Sequence, residues 1–308
     1  MQGHTIGIFG GSGFLGRSIV QQLAKTGATL RVFVRHPEHA LHLKTAGEVG
    51  QIILERVNIL NDHSLEGALE GCEAVVNLVG ILAESKPWTF TAVHQDFPAR
   101  LAKACRAKGI TKLVHVSALG VGEDSPSAYA RSKAAGEKAI LATFPSATIL
   151  RPSVIFGPDD SFFNRFAEMA LVSAALPLIG GGITKLQPVY VGDVAFAVVK
   201  VLTDPHCAGK VYELTGPDVL SLRAILQFIL DTIQRKRILL NLPFGVAKVM
   251  GSILEWVPGK PLTKDQVILL EHDNVATAGA LGFADLGMTP QRIATIVPRY
   301  LARFRATF

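Results

Sequence analysis

A tyrosine and a lysine lie one helical turn apart in the segment Tyr129-Ala-Arg-Ser-Lys133. Residues at positions i and i+4 share one face of a helix. A free tyrosine has a pKa of about 10, which is too high for proton exchange at neutral pH, and a nearby ammonium group favours the phenolate. The pair could therefore exchange a proton with an alcohol or a carbonyl oxygen. The alternative is an ordinary pair of residues on a helix surface.

A serine follows the apolar run Val114-His-Val116, which predicts a buried strand. Ligands of parallel sheets bind at the carboxyl ends of the strands, so the hydroxyl of Ser117 is expected to orient the same oxygen. We take Ser117, Tyr129 and Lys133 as the candidate catalytic residues. His94 and His115 have no ligand-like neighbours in the sequence and are predicted to be ordinary fold residues. No spacing predicts a metal site.

Three glycines, Gly10, Gly13 and Gly16, separate the apolar run 5–9 from a helical stretch. A strand, a glycine turn and a helix in this order form a phosphate site, because the bare backbone approaches the anion and the helix N-terminus presents free N–H groups. We expect the three glycines, with Phe14 and Leu15 between them, to bind the pyrophosphate of a dinucleotide. A plain glycine turn is the alternative.

The residue after the second predicted strand is a guide to the type of dinucleotide. NAD-selective sites have an Asp or Glu at this edge, whereas this chain has Arg35, whose guanidinium suits a 2′-phosphate. This favours NADP(H) over NAD(H), although Arg35 could also be a plain surface residue. Asn58, at the end of the third strand, is the preferred adenine contact, with Asp62 as the alternative.

Strand-like runs at 5–9, 29–34, 51–57, 74–79, 112–117 and 147–150 alternate with helical patterns at 15–25, 91–108 and 127–143. This alternation predicts an α/β fold, a Rossmann-type doubly wound parallel sheet with a small, mostly helical C-terminal cap. We expect a dinucleotide-binding core at 1–157 and a cap at 158–308. Residues 186–203 are expected to pack back on the core.

The composition is that of a folded protein, with 308 residues, 49% hydrophobic and 18% charged. The cysteines Cys72, Cys105 and Cys207 are odd in number and widely spaced, which favours a reducing compartment. No leader precedes the first strand and no apolar run has spanning length, so a cytoplasmic, soluble or peripheral protein is expected. The basic segment lacks interleaved aromatic residues, so no nucleic acid partner is expected.

The net charge of +6 is concentrated in the final third, where residues 221–308 hold eleven Lys and Arg against six Asp and Glu. Within it, apolar residues recur at helical spacing between 244 and 257, namely Val246, Val249, Met250, Ile253, Leu254 and Val257. Such a stripe is most often core. A helix that lies on an anionic membrane or on a membrane complex is the alternative.

Taken together, these motifs resemble the short-chain dehydrogenase/reductase superfamily in its atypical and extended branches. The glycine turn, Asn77-Leu-Val-Gly80, Ser117, Tyr129-x-x-x-Lys133 and Arg151-Pro-Ser-Val154 occur in that family's order. The segments 150–166, 187–194 and 262–267 look like the family of the thirty-nine-kilodalton accessory subunit of respiratory complex I. The resemblance implies further cofactor contacts at Val79, Gly80, Tyr129, Lys133, Pro152 and Val154.

Two functions follow from this resemblance. The first is an accessory or assembly protein of complex I that holds NADPH as a structural cofactor, peripheral on the inner face of a respiratory membrane. The second is a catalytically active NADPH-dependent oxidoreductase or epimerase that uses Tyr129 and Lys133, although Ser117 is followed by Ala118, where active members often have another Ser or Thr. Trp88, Asn164 and Arg165 are the candidate substrate residues. Arg165 could instead pair with Asp160.

Overall fold

The alternating apolar runs of the first 150 residues form strands and helices in the computed structural model, which describes residues 1–305, with the backbone alone for 62 and 63. The strands are β1 Thr5–Phe9, β2 Thr29–Val34, β3 Ile52–Arg56, β4 Ala74–Asn77, β5 Lys112–Val116, β6 Thr148–Pro152, β7 Ile155–Phe156, β8 Ala175–Ile179, β9 Lys185–Leu186, β10 Val189–Tyr190, β11 Val211–Leu214, β12 Leu220–Ser221 and β13 Ile238–Leu242. The helices are α1 Phe14–Ala24, α2 Asp62–Ala68, α3 Phe97–Ala107, α4 Ala128–Thr143, α5 Phe163–Val172, α6 Val191–Thr203, α7 Leu222–Thr232, α8 Phe244–Leu254, α9 Lys264–Leu269 and α10 Ile293–Leu301.

Seven strands form the main sheet in the order β11-β6-β5-β4-β1-β2-β3. The neighbours from β6 to β3 pair in parallel. The strand order reverses at β1, which pairs with β2 on one side and with β4 on the other, and ligands of doubly wound sheets bind beside such a reversal. The predicted Rossmann-type fold is therefore confirmed.

Aromatic packing holds the carboxyl end of β1 in place. The ring centroid of Phe9 lies 4.6 Å from that of Phe33 and 5.4 Å from that of Phe97. All three side chains belong to one buried hydrophobic cluster. This packing fixes the position of the residue after which the glycine turn begins.

The described chain forms two compact units. The first comprises Met1–Arg151, Val194–Glu213 and Leu281–Gly287, and the second comprises Pro152–Asp193, Leu214–Ala280 and the stretch from Met288. Sequence analysis places the boundary after residue 157 and a returning segment at 186–203. In the structure the first unit's initial stretch ends at Arg151, where β6 reaches its last residues.

The second unit has its own core. Apolar side chains of α5, α7 and α10 pack together, and this core includes the fully buried Phe156 and Phe163. Short strand pairs, β7 with β10, β9 with β12 and β8 with β13, complete this unit. Within residues 1–305, no helix combines the length and apolar character that crossing a membrane requires.

Helix α8 contradicts the interpretation of its apolar stripe as core. Its buried residues are the small Ala247 and Gly251, and a side chain at Gly251 would lie 2.8 Å from the backbone nitrogen of Lys264 at the start of α9. Small residues allow this close approach between the two helices. The larger side chains therefore face outward: the exposed apolar residues of α8 are Val246, Val249, Met250 and Ile253, and Trp256 and Val257 are exposed just beyond its end.

Candidate functional site

The glycine turn after β1 has a conformation that requires two of its three glycines. Gly10 has a φ of 81°, in the left-handed region that disfavours side chains. A side chain at Gly16 would place its Cβ 2.3 Å from the carbonyl oxygen of Gly10. At Gly13, an added Cβ would have that same oxygen, at 3.4 Å, as its only neighbour within 4 Å among the described atoms. Gly10 and Gly16 are therefore required by the turn itself. Gly13 is exposed, and because it has no side chain its backbone is open to solvent.

Helix α1 begins directly at this turn. Its N-cap is Gly13, which supplies no side-chain hydrogen bond, and its first turn contains no acidic residue. The N–H groups at a helix start have no acceptor within the helix, and they carry the positive end of its dipole. A bare glycine backbone beside these donors fits a pyrophosphate group. Phe14 and Leu15, both half-buried, supply the first residues of this helix.

Arg35 lies at the carboxyl end of β2, exposed, with its Cζ atom 4.8 Å from the centroid of the Trp88 ring. The nearby Glu38 is shared by His36, at 3.2 Å, and Arg56, at 3.5 Å. This edge of the sheet therefore presents more basic than acidic groups. Trp88, a candidate substrate residue from the sequence, lies in the first unit beside Arg35.

Asn58, the preferred adenine contact, is exposed just beyond β3. Its side-chain oxygen accepts a hydrogen bond from the backbone N–H of Leu60 at 3.0 Å. The side chain of the alternative, Asp62, lies outside the described part of the chain. The structure thus assigns the Asn58 oxygen a local structural role.

Lys133 is buried where helix α4 meets the sheet. Its Nζ donates to the carbonyl oxygen of Val116 at 3.2 Å. A side chain at Gly80, after β4, would lie 3.2 Å from this Nζ, so the missing side chain makes room for the ammonium group. Burial lowers the pKa of Lys133 to about 8, although the Glu137 carboxylate opposes this effect. A lysine with this pKa can gain and lose a proton near neutral pH.

The other two candidate catalytic residues lie on α4 and beyond β5. Tyr129 is half-buried, with its ring edge-on to His94 at 5.3 Å and to Phe90 at 5.9 Å between centroids. The backbone N–H of Ser117 donates to Leu150 at 2.8 Å. Its buried Oγ has no hydrogen-bond partner among the described residues, which is unusual for a buried hydroxyl.

His94 connects the loop after β4 to helix α4. Its Nε2 accepts from the backbone N–H of Ile81 at 3.0 Å, so its Nδ1 carries the proton and donates to the Ser132 Oγ at 3.0 Å. The Ser132 hydroxyl then donates to the Tyr129 carbonyl oxygen at 2.8 Å. Burial, and then the Lys133 cation, lower the pKa of His94 to about 3, so this ring stays neutral.

His115 is the second buried histidine near Lys133. The register of β4 and β5 sets it opposite Asn77, whose side-chain nitrogen lies 3.1 Å from its Nδ1. Burial, then Lys133 and His94, lower the pKa of His115 well below its usual value. Sequence reasoning missed His94 and His115 as neighbours of the lysine. The hydrogen bonds that fix the two rings, from His115 to Asn77 and from His94 to Ser132, each join residues 38 positions apart, which no local spacing reveals.

Asn164, a candidate substrate residue of the second unit, has a structural role. Its side-chain nitrogen donates to the carbonyl oxygens of Pro158 and Asp160, both at 3.1 Å. Its oxygen accepts from Arg303 at 2.7 Å. The Asp160 carboxylate accepts from the Tyr300 hydroxyl at 2.8 Å and from three backbone N–H groups.

Among the described contacts, the Asp160 carboxylate is bound by Tyr300 and backbone N–H groups and not by Arg165, the alternative partner from the sequence. Arg165 is exposed. Two expected cofactor contacts also fall in the second unit, with Pro152 at the end of β6 and Val154 packed beside that unit's core.

Cys72, Cys105 and Cys207 are buried and free of disulfides. Among the side chains that the structure describes, no cluster of three or more could hold a metal ion.

Comparison with known proteins places this geometry in a family. The model of the NAD dependent epimerase/dehydratase family matches residues 6–214. The mitochondrial NADH dehydrogenase [ubiquinone] 1 alpha subcomplex subunit 9 of Arabidopsis thaliana is 36% identical over 97% of this chain and 77% of its own length. Its Mus musculus counterpart is 34% identical over 92% of this chain and 76% of its own length.

Solved structures share the fold at lower identity. A dTDP-glucose 4,6-dehydratase from Bacillus anthracis, in complex with NAD, superposes with a TM-score of 0.74 at 18% identity. The match covers 98% of this chain and 96% of that one. A Thermus thermophilus UDP-glucose 4-epimerase gives a TM-score of 0.62 at 22% identity, over 78% of this chain and 86% of its own. These similarities concern the fold alone.

Proposed function

Because the chain belongs to the NAD dependent epimerase/dehydratase family, we propose that it binds NADP(H) tightly and serves as an accessory or assembly protein of respiratory complex I. The glycine turn at the start of α1 supports the proposed binding of NADP(H). Gly10 and Gly16 are required by the backbone of the turn, and Gly13 leaves the helix N-terminus open to an anion. Val79 and Gly80 border this end of the sheet.

The choice of NADP(H) over NAD(H) rests on Arg35. Its guanidinium stands where NAD-selective sites have a carboxylate, and a 2′-phosphate suits its paired N–H donors. We expect Arg35→Glu to weaken NADPH binding far more than NADH binding, because it replaces attraction of the 2′-phosphate by repulsion. Calorimetric titration with both nucleotides measures this. If the substitution weakened NADPH and NADH binding equally, Arg35 would not be the residue that binds the 2′-phosphate.

The complex I role is supported by the two named relatives, which are subunits of NADH dehydrogenase from Arabidopsis thaliana and Mus musculus. The exposed apolar stripe of α8 and the basic final third support a peripheral location on the inner face of a respiratory membrane. The native protein is expected to co-migrate with complex I in blue native gels of gently solubilised membranes and to retain NADP(H) on purification. If it stays in the soluble fraction throughout, this part of the proposal is wrong.

An NADPH-dependent oxidoreductase or epimerase is the second candidate, which the lowered pKa of Lys133 and the unpaired Oγ of Ser117 favour. Bound NADPH would supply a hydride to the substrate carbonyl carbon. The Tyr129 hydroxyl would give its proton to the substrate oxygen, Lys133 would stabilise the phenolate that remains, and Ser117 would orient that oxygen.

A substitution of Tyr129 separates the two candidates. Tyr129→Phe should abolish turnover of any carbonyl or nucleotide-sugar substrate and leave NADPH binding unchanged, because only the proton-carrying hydroxyl is lost. Assays across a panel of such substrates measure this, with NADPH titration as the control. The absence of turnover by the unaltered chain across the panel would leave the accessory role.

A further inference from the structure

The Trp88 ring is held in place by its own loop. Ser85 and Trp88 exchange two backbone hydrogen bonds, of 2.9 and 2.5 Å, and the Glu84 carboxylate accepts from the backbone N–H of Phe90 at 2.6 Å. The ring is half-buried and packs against the core cluster beside the sheet. Its position therefore does not depend on the exposed side chain that lies over it.

That side chain is Arg35, and it contacts the ring by cation–π stacking. The Cζ atom lies 4.8 Å from the ring centroid, within the distance at which such pairs attract. A guanidinium that stacks through its face keeps the N–H groups in its own plane available for a bidentate contact with an oxyanion. Stacking and anion binding are therefore compatible.

Among the residues that the structure describes, Arg35 has no carboxylate partner. The nearby Glu38 contacts His36 and Arg56 instead. Stacking on Trp88 is thus the contact that restricts this long side chain. A side chain ordered before binding loses less conformational freedom when the ligand arrives.

We propose that Trp88 is a positioning residue that determines specificity, because it holds Arg35 ready for the 2′-phosphate of NADP(H). This inference rests on the proposed binding of NADP(H). It replaces the expected substrate role of Trp88 with a role at the adenosine end of the cofactor. The Trp88 ring would favour NADP(H) over NAD(H), because it orders the Arg35 guanidinium that contacts the 2′-phosphate, and only NADP(H) has this phosphate.

Titration of the full chain with NADP⁺ and NAD⁺ tests this proposal. Trp88→Leu should weaken NADP⁺ binding about fivefold, which corresponds to ~1 kcal/mol for a partly exposed cation–π contact. NAD⁺ binding should change less than about twofold. Trp88→Phe, which keeps an aromatic face, should fall between the two. In an Arg35→Leu background, Trp88→Leu should no longer affect NADP⁺ more than NAD⁺.

A fluorescence measurement avoids any dependence on the folding of Trp88→Leu. The chain has two tryptophans, so Trp256→Phe leaves Trp88 as the single tryptophan, which is excited selectively over the four tyrosines at long wavelength. NADP⁺ should then perturb its emission more than NAD⁺ does, and Arg35→Leu should remove the difference. If Trp88→Leu weakens NADP⁺ and NAD⁺ binding equally, or if both dinucleotides perturb the Trp88 emission equally, the role of Trp88 is overturned and the proposed function is not. Failure of the unaltered chain to bind either dinucleotide overturns the proposed function and this inference together.

Discussion

Burial sets the pH range in which Lys133 titrates. Its pKa falls from 10.5 to about 8, because the folded interior disfavours the ammonium. The folded state therefore releases this proton at a lower pH than the unfolded state does. Below about pH 8 the lysine is charged in both states, so the cost of burying its charge lowers the stability of the fold by its full amount. This cost decreases as the pH rises from about 8 and is lost above about 10.5.

We expect the free energy of unfolding of the unaltered chain, relative to Lys133→Met, to rise by up to about 3 kcal/mol over this range, since one pKa unit corresponds to ~1.36 kcal/mol. Urea unfolding of both proteins between pH 7 and 10.5 measures the difference. Lys103→Met, at an exposed position, is the control and should follow the unaltered chain. Parallel pH curves for Lys133→Met and the unaltered chain would contradict the assigned burial effect.

His94 should matter for stability through its two hydrogen bonds. His94→Phe leaves the half-buried Ile81 N–H without its acceptor, at a cost of about 1–3 kcal/mol, and removes the donor to the Ser132 Oγ, which keeps its own hydrogen bond to the Tyr129 carbonyl oxygen. Urea unfolding at pH 7 measures the loss. His36→Phe, at an exposed position, should change the free energy by less than about 0.5 kcal/mol. Equal effects of the two substitutions would show that the His94 contacts are not important for folding.

At the scale of single elements, the glycine turn separates folding from binding. Gly16 has no space for a side chain, whereas Gly13 has an extended backbone, with φ of −74° and ψ of 176°, that any residue adopts. The two positions therefore differ in what a methyl group would disturb. At Gly16 it meets protein backbone, and at Gly13 it stands where an anion would approach.

Gly16→Ala should destabilise the chain by more than about 2 kcal/mol, because the turn must open to admit the methyl group. Gly13→Ala should leave the free energy of unfolding within about 1 kcal/mol and weaken dinucleotide binding. Thermal unfolding and nucleotide titration of both variants measure this. A Gly13→Ala chain that binds NADP⁺ at full strength would remove the turn from the cofactor site.

The elements of the main sheet could be predicted from the sequence, because buried parallel strands are short apolar runs between helical patterns. Strand β13 could not, since its alternating exposed residues, such as Ile238 and Leu240, pair only with β8, more than fifty residues earlier. The stripe of α8 was misread for a related reason. Periodicity shows that a helix has an apolar face, but packing of the small residues Ala247 and Gly251 decides which face is buried.

At the scale of the whole molecule, the exposed stripe of α8 is the surface expected to contact the respiratory membrane. Val249 and Ile253 are each 63% exposed, so charges there should not disturb the core. A solvated charge on this stripe opposes entry into the apolar boundary of a membrane.

The double variant Val249→Glu/Ile253→Glu should therefore retain its thermal stability and lose most of its association with anionic vesicles and with complex I. Vesicle sedimentation and native gels measure the two associations. Val49→Glu/Ile183→Glu adds the same charge at exposed positions elsewhere, and it should behave as the unaltered chain does. Equal losses for both pairs would indicate a general charge effect and not a contact of α8.

The division of the chain into interleaved segments has a consequence for synthesis on the ribosome. Strand β11, at the edge of the main sheet beside β6, is made some sixty residues after it, which takes about 3–12 s at ordinary rates of translation. Until then a nascent chain carries β6 with one row of unpaired backbone groups, which is a template for aggregation. A chaperone that shields this edge for a few seconds would therefore raise the yield of folded protein.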